Sequence, residues 1–305
     1  MINRREFIQK SLIGAAALSI PSHLIAGSAS KTLTILHTND LHSRIDPFDE
    51  GRNKGKGGMA RRATLIEKLR KENKNLLLLD AGDIWQGTPY FNFFNGELEY
   101  KLMSQMGYDA ATLGNHDFDG GMENILKQLP LANFPFLIAN YDFSSTILKN
   151  AFQPYKIFNK NGLKIGVFGL GIELKGLVPD KLYKETIYLD PVEKAKEMTQ
   201  ELHNKKCDLV ICLSHLGYKY DSENKISDLT LAAKIPGIDI IIGGHTHTFL
   251  EKPNMIINPE GKEVLVNQAG WGGILLGKID VTFNQGKKTM SGTSMIIDES
   301  IEFAG

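Results

Sequence analysis

The chain of 305 residues is long enough for one large α/β domain or two small ones. Its composition, 42% hydrophobic and 23% charged, is that of an ordinary globular protein with no low-complexity run. Lysine plus arginine and aspartate plus glutamate balance at 35 each, which excludes a field-driven affinity for nucleic acid. The two cysteines, Cys207 and Cys212, share one apolar run. Five strand residues span roughly 16 Å and put these side chains on opposite faces. They are therefore too far apart to pair, and both read as buried thiols.

In chain order, residues 1–30 read as a leader and not as part of the fold. Arg4 and Arg5, with Phe7 behind them, precede a short apolar segment at 12–20 and then Pro21. The pattern resembles a Tat-type signal peptide and implies an exported, periplasmic protein. The apolar run falls short of the roughly 20 residues a membrane span needs, so no stable span is expected after cleavage.

From residue 32 onward, apolar strand-like runs alternate with helical patterns, the signature of an α/β domain. Residues 32–36 form the first strand, and 57–73 a helix with Met59, Ala63, Ile66 and Leu69 at helical spacing. Four leucines at 76–79 make a short strand buried on both faces. Residues 97–106 and 122–129 are helices, while 110–113 and 134–139 are strands. Runs at 155–158 and 164–170 flank Asn161-Gly162, a strong hairpin signal, so the sheets are mixed. Residues 191–204 are a helix with Asp190 as its cap and Pro191 at the first position. Buried strands at 209–213 and 238–242 enclose a helix at 227–234. Residues 264–283 read as strand, glycine-rich turn, strand, with an edge strand near 294–297. Residues 31–305 carry no internal repeat and no linker, which makes them one domain.

Five strand-like runs end in residues that bind metals or move protons. They are followed by His37-Thr38-Asn39-Asp40-Leu41-His42, Asp80-Ala81-Gly82-Asp83, Gly114-Asn115-His116-Asp117, Ser214-His215 and Gly243-Gly244-His245-Thr246-His247. Each alone also fits a turn, a cap or a satisfied core histidine. In open α/β sheets, however, ligands bind beyond the carboxyl ends of the strands. Side by side, these ends present about seven Asp, His and Asn side chains, too many for one tetrahedral ion and suited to two metals sharing a carboxylate. Asp40 and His42 are two apart, as are His245 and His247, so an extended backbone points each pair to one side. With no thiolate in the set, zinc, manganese, iron or cobalt is expected.

In this order the clusters resemble the calcineurin-like metallophosphoesterases. The wording Leu36-His37-Thr38-Asn39-Asp40-Leu41-His42, Gly82-Asp83-Ile84-Trp85-Gln86-Gly87-Thr88 and Gly114-Asn115-His116-Asp117-Phe118-Asp119 is similar to the 5′-nucleotidase branch, catalytic N-terminal domain. The resemblance implies a four-layer α/β/β/α sandwich of two mixed sheets. It implies that Asp40, His42, Asp83 and His247 hold one metal and that Asp83, Asn115, His215 and His245 hold the other. His116, oriented by Asp119, would be the acid. The implied reaction is release of phosphate from 5′-nucleotides or related phosphomonoesters by a hydroxide between the two metals. A phosphodiesterase or nucleotide-sugar pyrophosphatase would use the same centre, and a non-catalytic metal-binding partner is the rival of a different class. Nucleotidases of this kind carry a further C-terminal domain, which is absent from 31–305. The expectation is therefore either a two-chain nucleotidase, with that domain on a separate partner protein, or a simpler substrate.

Overall fold

The computed structural model describes residues 30–222 and 225–301, and the expected leader lies outside them except for Ser30. In chain order the first elements are β1 (Lys31–Thr38), α1 (Met59–Glu72), β2 (Leu76–Asp80), α2 (Pro89–Phe94), α3 (Glu97–Met106), β3 (Ala110–Ala111) and α4 (Gly121–Gln128). Then come β4 (Tyr141–Asp142), β5 (Tyr155–Lys160), β6 (Leu163–Leu170), α5 (Asp180–Tyr183), β7 (Ile187–Tyr188), α6 (Pro191–Asn204) and β8 (Leu209–Ser214). The chain closes with α7 (Asp228–Lys234), β9 (Ile240–Gly243), β10 (Asn254–Ile257), β11 (Glu263–Asn267), β12 (Leu275–Asn284) and β13 (Lys287–Ile296).

Two mixed sheets stack face to face. One has the order β13-β12-β1-β2-β3 and the other β10-β11-β9-β8-β6-β5, while β4 and β7 pair separately. The leucine strand shows how the layers form, because successive side chains in a strand point to opposite faces. Leu77 and Leu79 join Leu33 and Ile35 in the layer between the sheets, against Ile165, Val167, Ile211, Leu213, Ile240 and Ile242. Leu76 and Leu78 point the other way, onto Ile66 and Leu69 of α1 and Tyr100 and Met103 of α3. On the far sheet, Val210, Cys212 and Ile241 face outward onto Ala195, Met198 and Leu202 of α6 and Leu231 of α7. The result is the expected α/β/β/α sandwich. Burying a side chain of this size contributes about 1.5–3 kcal/mol, so the three apolar layers hold the sheets in register.

Local signals set several boundaries as expected. Asp190 accepts from the backbone N–H of Val192 and Glu193 at 2.7 and 3.1 Å, with Pro191 at the first helical position. Asn161 and Gly162 both adopt left-handed φ, 52° and 67°, the geometry that folds β5 back on β6. Other expectations fail for physical reasons. Residues 134–139 are not a strand and make only isolated bridges, Ala111 to Phe136 and Leu137 to Gln153, because Pro135 has no N–H to donate to a ladder. The run at 110–113 is a strand only over β3, since the chain turns into the loop at Gly114. Cys212 is buried but Cys207, just before β8, is only partly covered. The short elements α2, α5, β4, β7 and β10 left no periodic signal long enough to read.

One polar contact crosses between the sheets. Asn267 Nδ2 of β11 donates to His37 Nε2 of β1 at 2.9 Å, and His37 is fully buried. Burial pulls its imidazole down from 6.5 to about 3, so it stays neutral in the folded chain. A group with a depressed pKa of this kind contributes stability above the unfolded value that is lost as pH falls below it. In metal-free protein, stability should drop by about 1.4 kcal/mol per pH unit through this residue between pH 6.5 and 3. Urea melts of His37→Gln should show a shallower acid limb than wild type. Equal limbs would contradict the burial argument.

Candidate metal centre

The strands β1, β2 and β3 run parallel in one sheet, and β6, β8 and β9 run parallel in the other. The loops that leave β1, β2, β3, β8 and β9 meet at their carboxyl ends and carry every residue singled out in the sequence. The first two continue to pair beyond the strands. Asp40 N–H donates to Gly82 O at 2.9 Å, His42 N–H to Asp83 O at 3.0 Å and Ser43 N–H to Ile84 O at 2.9 Å. Asp40, His42, Asp83, His245 and His247 all take left-handed φ, between 50° and 72°. The two-apart pairs are therefore not extended, and His245 and His247 do not point to the same side as expected. Such backbone costs about 1 kcal/mol or more at a non-glycine residue and persists only where neighbours over-determine it.

The brace is Asp117. Its buried carboxylate accepts from the N–H groups of Asp83 at 3.0 Å, Ile84 at 3.0 Å, Trp85 at 3.2 Å and Gly114 at 2.8 Å. The sequence offered Asp117 as a possible ligand; the structure commits both its oxygens to backbone. Gly114 is required beside it, since a Cβ there would stand 2.1 Å from Asp83 Oδ1. Asn39, part of the first cluster but given no role by the sequence, ties a further loop to the centre. Its Nδ2 donates to Asp40 Oδ2 and Gly270 O, each at 2.6 Å, and its Oδ1 accepts from Ala269 N–H at 2.8 Å.

Two groups of donors result, Asp40 with His42 and His247, and Asp83 with His215 and His245, each within 4.8 Å of one another. In the first, His42 Nε2 and His247 Nε2 are 2.9 Å apart, and His247 Nε2 is 3.4 Å from Asp40 Oδ1. In the second, His215 Nε2 is 3.1 Å from Asp83 Oδ2, and His245 Nδ1 is 2.9 Å from Asn115 Oδ1. Asp83 Oδ2 also lies 4.0 Å from His42 Nε2, which places this one carboxylate between the groups. All seven expected ligand residues are thus brought together.

The donors fit divalent cations. Ligand bonds of about 2.0–2.2 Å put neighbouring donors on one ion roughly 3.0–3.5 Å apart, close to the 3.4 Å between His247 and Asp40 and the 3.1 Å between His215 and Asp83, with His42 and Asp40 wider at 3.9 Å. His215 Nε2 is fully buried and faces the Asp83 carboxylate instead of solvent. His42 Nδ1 donates to Gln86 O at 3.2 Å and His215 Nδ1 to Ala81 O at 2.7 Å, which points both Nε2 atoms inward. The electrostatics agree. Burial disfavours charge on Asp83, yet His215 and His42 hold it below the usual carboxylate range. Burial likewise works against a charge on His215, but Asp83 and Asp40 outweigh it and push the imidazole up to about 10. The carboxylates call for positive charge beside them. Burial meanwhile lowers His42 and takes His245 down to about 4, so these imidazoles are neutral donors near pH 7.

His116 stands apart from the donors. Its N–H donates to Asp83 Oδ1 at 2.7 Å, its Nδ1 to Asp119 Oδ2 at 2.7 Å, and its side chain is 37% exposed. The Asp119 hydrogen bond raises its pKa above the ordinary value. Behind the loops, burial also lifts Asp80 to about 8, where it accepts from Thr38 Oγ1 at 2.6 Å and Gly82 N–H at 2.9 Å.

Asp117→Ala would leave four buried N–H groups without an acceptor, at about 1–3 kcal/mol each when unmade. The expected outcome is a loss of at least ~3 kcal/mol of stability in urea melts, together with loss of bound metal. A variant that melts like wild type and keeps its metal would show that Asp117 braces nothing.

The family model for calcineurin-like phosphoesterase matches residues 33–249. A snake venom 5′-nucleotidase from Gloydius brevicauda is 36% identical over 315 residues, which covers 95% of this chain and 52% of that protein. A 5′-nucleotidase from Vibrio cholerae is 36% identical over 324 residues, 96% of this chain and 58% of its own length. Among solved structures, a 5′-nucleotidase precursor from Thermus thermophilus superposes with a TM-score of 0.79 at 35% identity, covering 89% of this chain and 55% of that one. The chain therefore spans about half the length of the relatives it matches. With its sandwich, its two donor groups and a matching model over most of its length, the chain belongs to the calcineurin-like phosphoesterase family.

Proposed function

We propose that the chain hydrolyses phosphoesters with two divalent cations, releasing phosphate from 5′-nucleotides or related phosphomonoesters. The observation that carries this is the carboxylate of Asp83 standing between two donor groups, with the half-exposed His116 ring hung beside it. Asp40, His42, Asp83 and His247 would hold one ion, and Asp83, Asn115, His215 and His245 the other. Oxygen and imidazole donors without a thiolate suit zinc, manganese, iron or cobalt. Bound there, the pair of cations supplies a water of lowered pKa and polarises the phosphoryl oxygens.

The chain's own groups do the rest. Asp119 fixes His116 with Nδ1 as donor, leaving Nε2 to give a proton to the oxygen that leaves phosphorus. The raised pKa keeps that proton available near neutrality. Because Asp83 Oδ1 holds the His116 backbone, the acid is set in position by the same carboxylate that joins the donor groups. Neutral imidazoles at His42 and His245 offer lone pairs without a competing proton.

Nucleotides are proposed as substrates because the relatives reported above carry the name 5′-nucleotidase. As partner we propose a protein that supplies what those relatives hold beyond the matched half. Residues 1–30 are proposed to direct export to the periplasm, and no helix among the described residues is long and apolar enough to cross a membrane. Replacing Arg4 and Arg5 by Lys should then retain the protein in the cytoplasm, and unchanged export would count against the leader.

Chelation should abolish hydrolysis of AMP, and Asp83→Ala should lose both metals and turnover. His116→Ala should keep its metals and lose about 10²–10⁴ in rate. AMP compared with a phosphodiester, with and without the proposed partner, separates nucleotidase from diesterase. Full activity after the metals are stripped would overturn the whole reading.

A further inference from the structure

The histidine ligands are not held alike. His42 and His215 each have a carbonyl behind Nδ1 that fixes the ring, and both are buried. His247 is 39% exposed, and its Nδ1 has no hydrogen-bond partner among the described residues. What lies against its ring is the indole of Trp271, stacked at 16° with centroids 5.7 Å apart.

Trp271 is itself fixed from several directions. Its ring stands edge-on to His42 at 6.4 Å and to Phe48 at 5.3 Å, and the Arg44 guanidinium caps Phe48 at 4.2 Å. The loop that carries it is tied to both ligand loops of the first donor group. Gly272 N–H donates to Asp40 O at 2.7 Å, and Gly270 N–H donates to Thr248 O at 3.0 Å, one residue after His247. Gly270 and Gly272 need their left-handed φ, 69° and 61°, to swing the indole inward between those loops. Gly272 has no room for a side chain, because a Cβ would meet the Phe48 ring at 2.8 Å.

We propose that Trp271 is a positioning residue for the Asp40–His42–His247 metal site, its stacked indole holding the His247 ring as backbone carbonyls hold those of His42 and His215. The inference rests on the two-metal reading above. A ring with no fixed tautomer and a solvent-exposed edge samples many orientations, and each unproductive one weakens the ion it should bind. The indole removes that freedom on one face and keeps water from it. Among the described residues the rings packed against Trp271 are those of His42, Phe48 and His247, while His215 and His245 pack against each other and keep their own hydrogen bonds. Loss of the indole therefore separates the two affinities, weakening one ion and sparing the other.

The test is a titration of metal-free protein with Co²⁺ or Zn²⁺ against a chromophoric chelator, for wild type, Trp271→Phe and Trp271→Leu. Leucine keeps apolar bulk and removes the stack, which guards against a simple folding failure; thermal melts of the metal-free proteins check this. Wild type should bind two ions. Trp271→Leu should bind one as before and the other about 10–100-fold more weakly, with the Co²⁺ absorption band of that site altered. Trp271→Phe should stay within a few-fold of wild type. Two ions bound to Trp271→Leu with wild-type affinities, or both weakened equally, would overturn the inference and leave the two-metal reading standing. So would unchanged metal binding with a raised KM for phosphomonoesters, which would make Trp271 a substrate contact. Wild type that binds no ion would instead sink the reading on which the inference rests.

Discussion

Everything at the centre depends on one buried carboxylate being held at the end of a leucine strand. Asp83 has to lie where two sets of imidazoles can reach it, and its left-handed backbone does not stay there by itself. Asp117 holds the N–H groups around it, Gly114 gives up its side chain to let Asp83 in, and His116 clamps the second oxygen. The apolar layer between the sheets supplies the rigidity beneath. Leu77 and Leu79 are locked against Leu213 and Ile242, so the ends of β2, β8 and β9 keep a fixed separation. Packing thus sets the distances, and the distances set the charge balance that draws cations in.

The centre is graded from inside to outside. Asp40, Asp83 and His215 are buried at the junction of the sheets, where desolvation makes unbalanced charge costly. His247 and His116 keep part of their rings open to solvent. The inner residues are held by hydrogen bonds to backbone groups. The outer ones rely on side chains, Asp119 for one and Trp271 for the other. Burial and backbone hydrogen bonds are concentrated where the ions would sit, and solvent exposure at the rim.

Much of this was legible in the chain. Alternation of strand and helix, the Asn161-Gly162 hairpin, the Asp190 cap and the five ligand-bearing strand ends are local or nearly local signals. Each of those ends fits a turn, a cap or a core histidine by itself, and it is their order along the chain that carries the resemblance implying the sandwich, its two mixed sheets and the seven side chains that the loops bring together. What local signals misjudged was conformation and role. Asp40 with His42 and His245 with His247 looked like extended pairs, and Asp117 carried no mark of a backbone brace. Residues 134–139 looked like a strand because apolar content is visible in sequence while the missing N–H of Pro135 matters only beside a partner.

The sequence by itself determined the alternation of strands and helices and the chemical inventory, because hydrophobic period and side-chain type are properties of short stretches. Only the tertiary structure decided which oxygen faces which nitrogen. It gave Asp117 to the backbone, turned His245 and His247 into left-handed backbone and laid Trp271 against an imidazole more than twenty residues away. Those assignments depend on contacts between loops far apart in the chain. Such contacts exist only after the two sheets have come together.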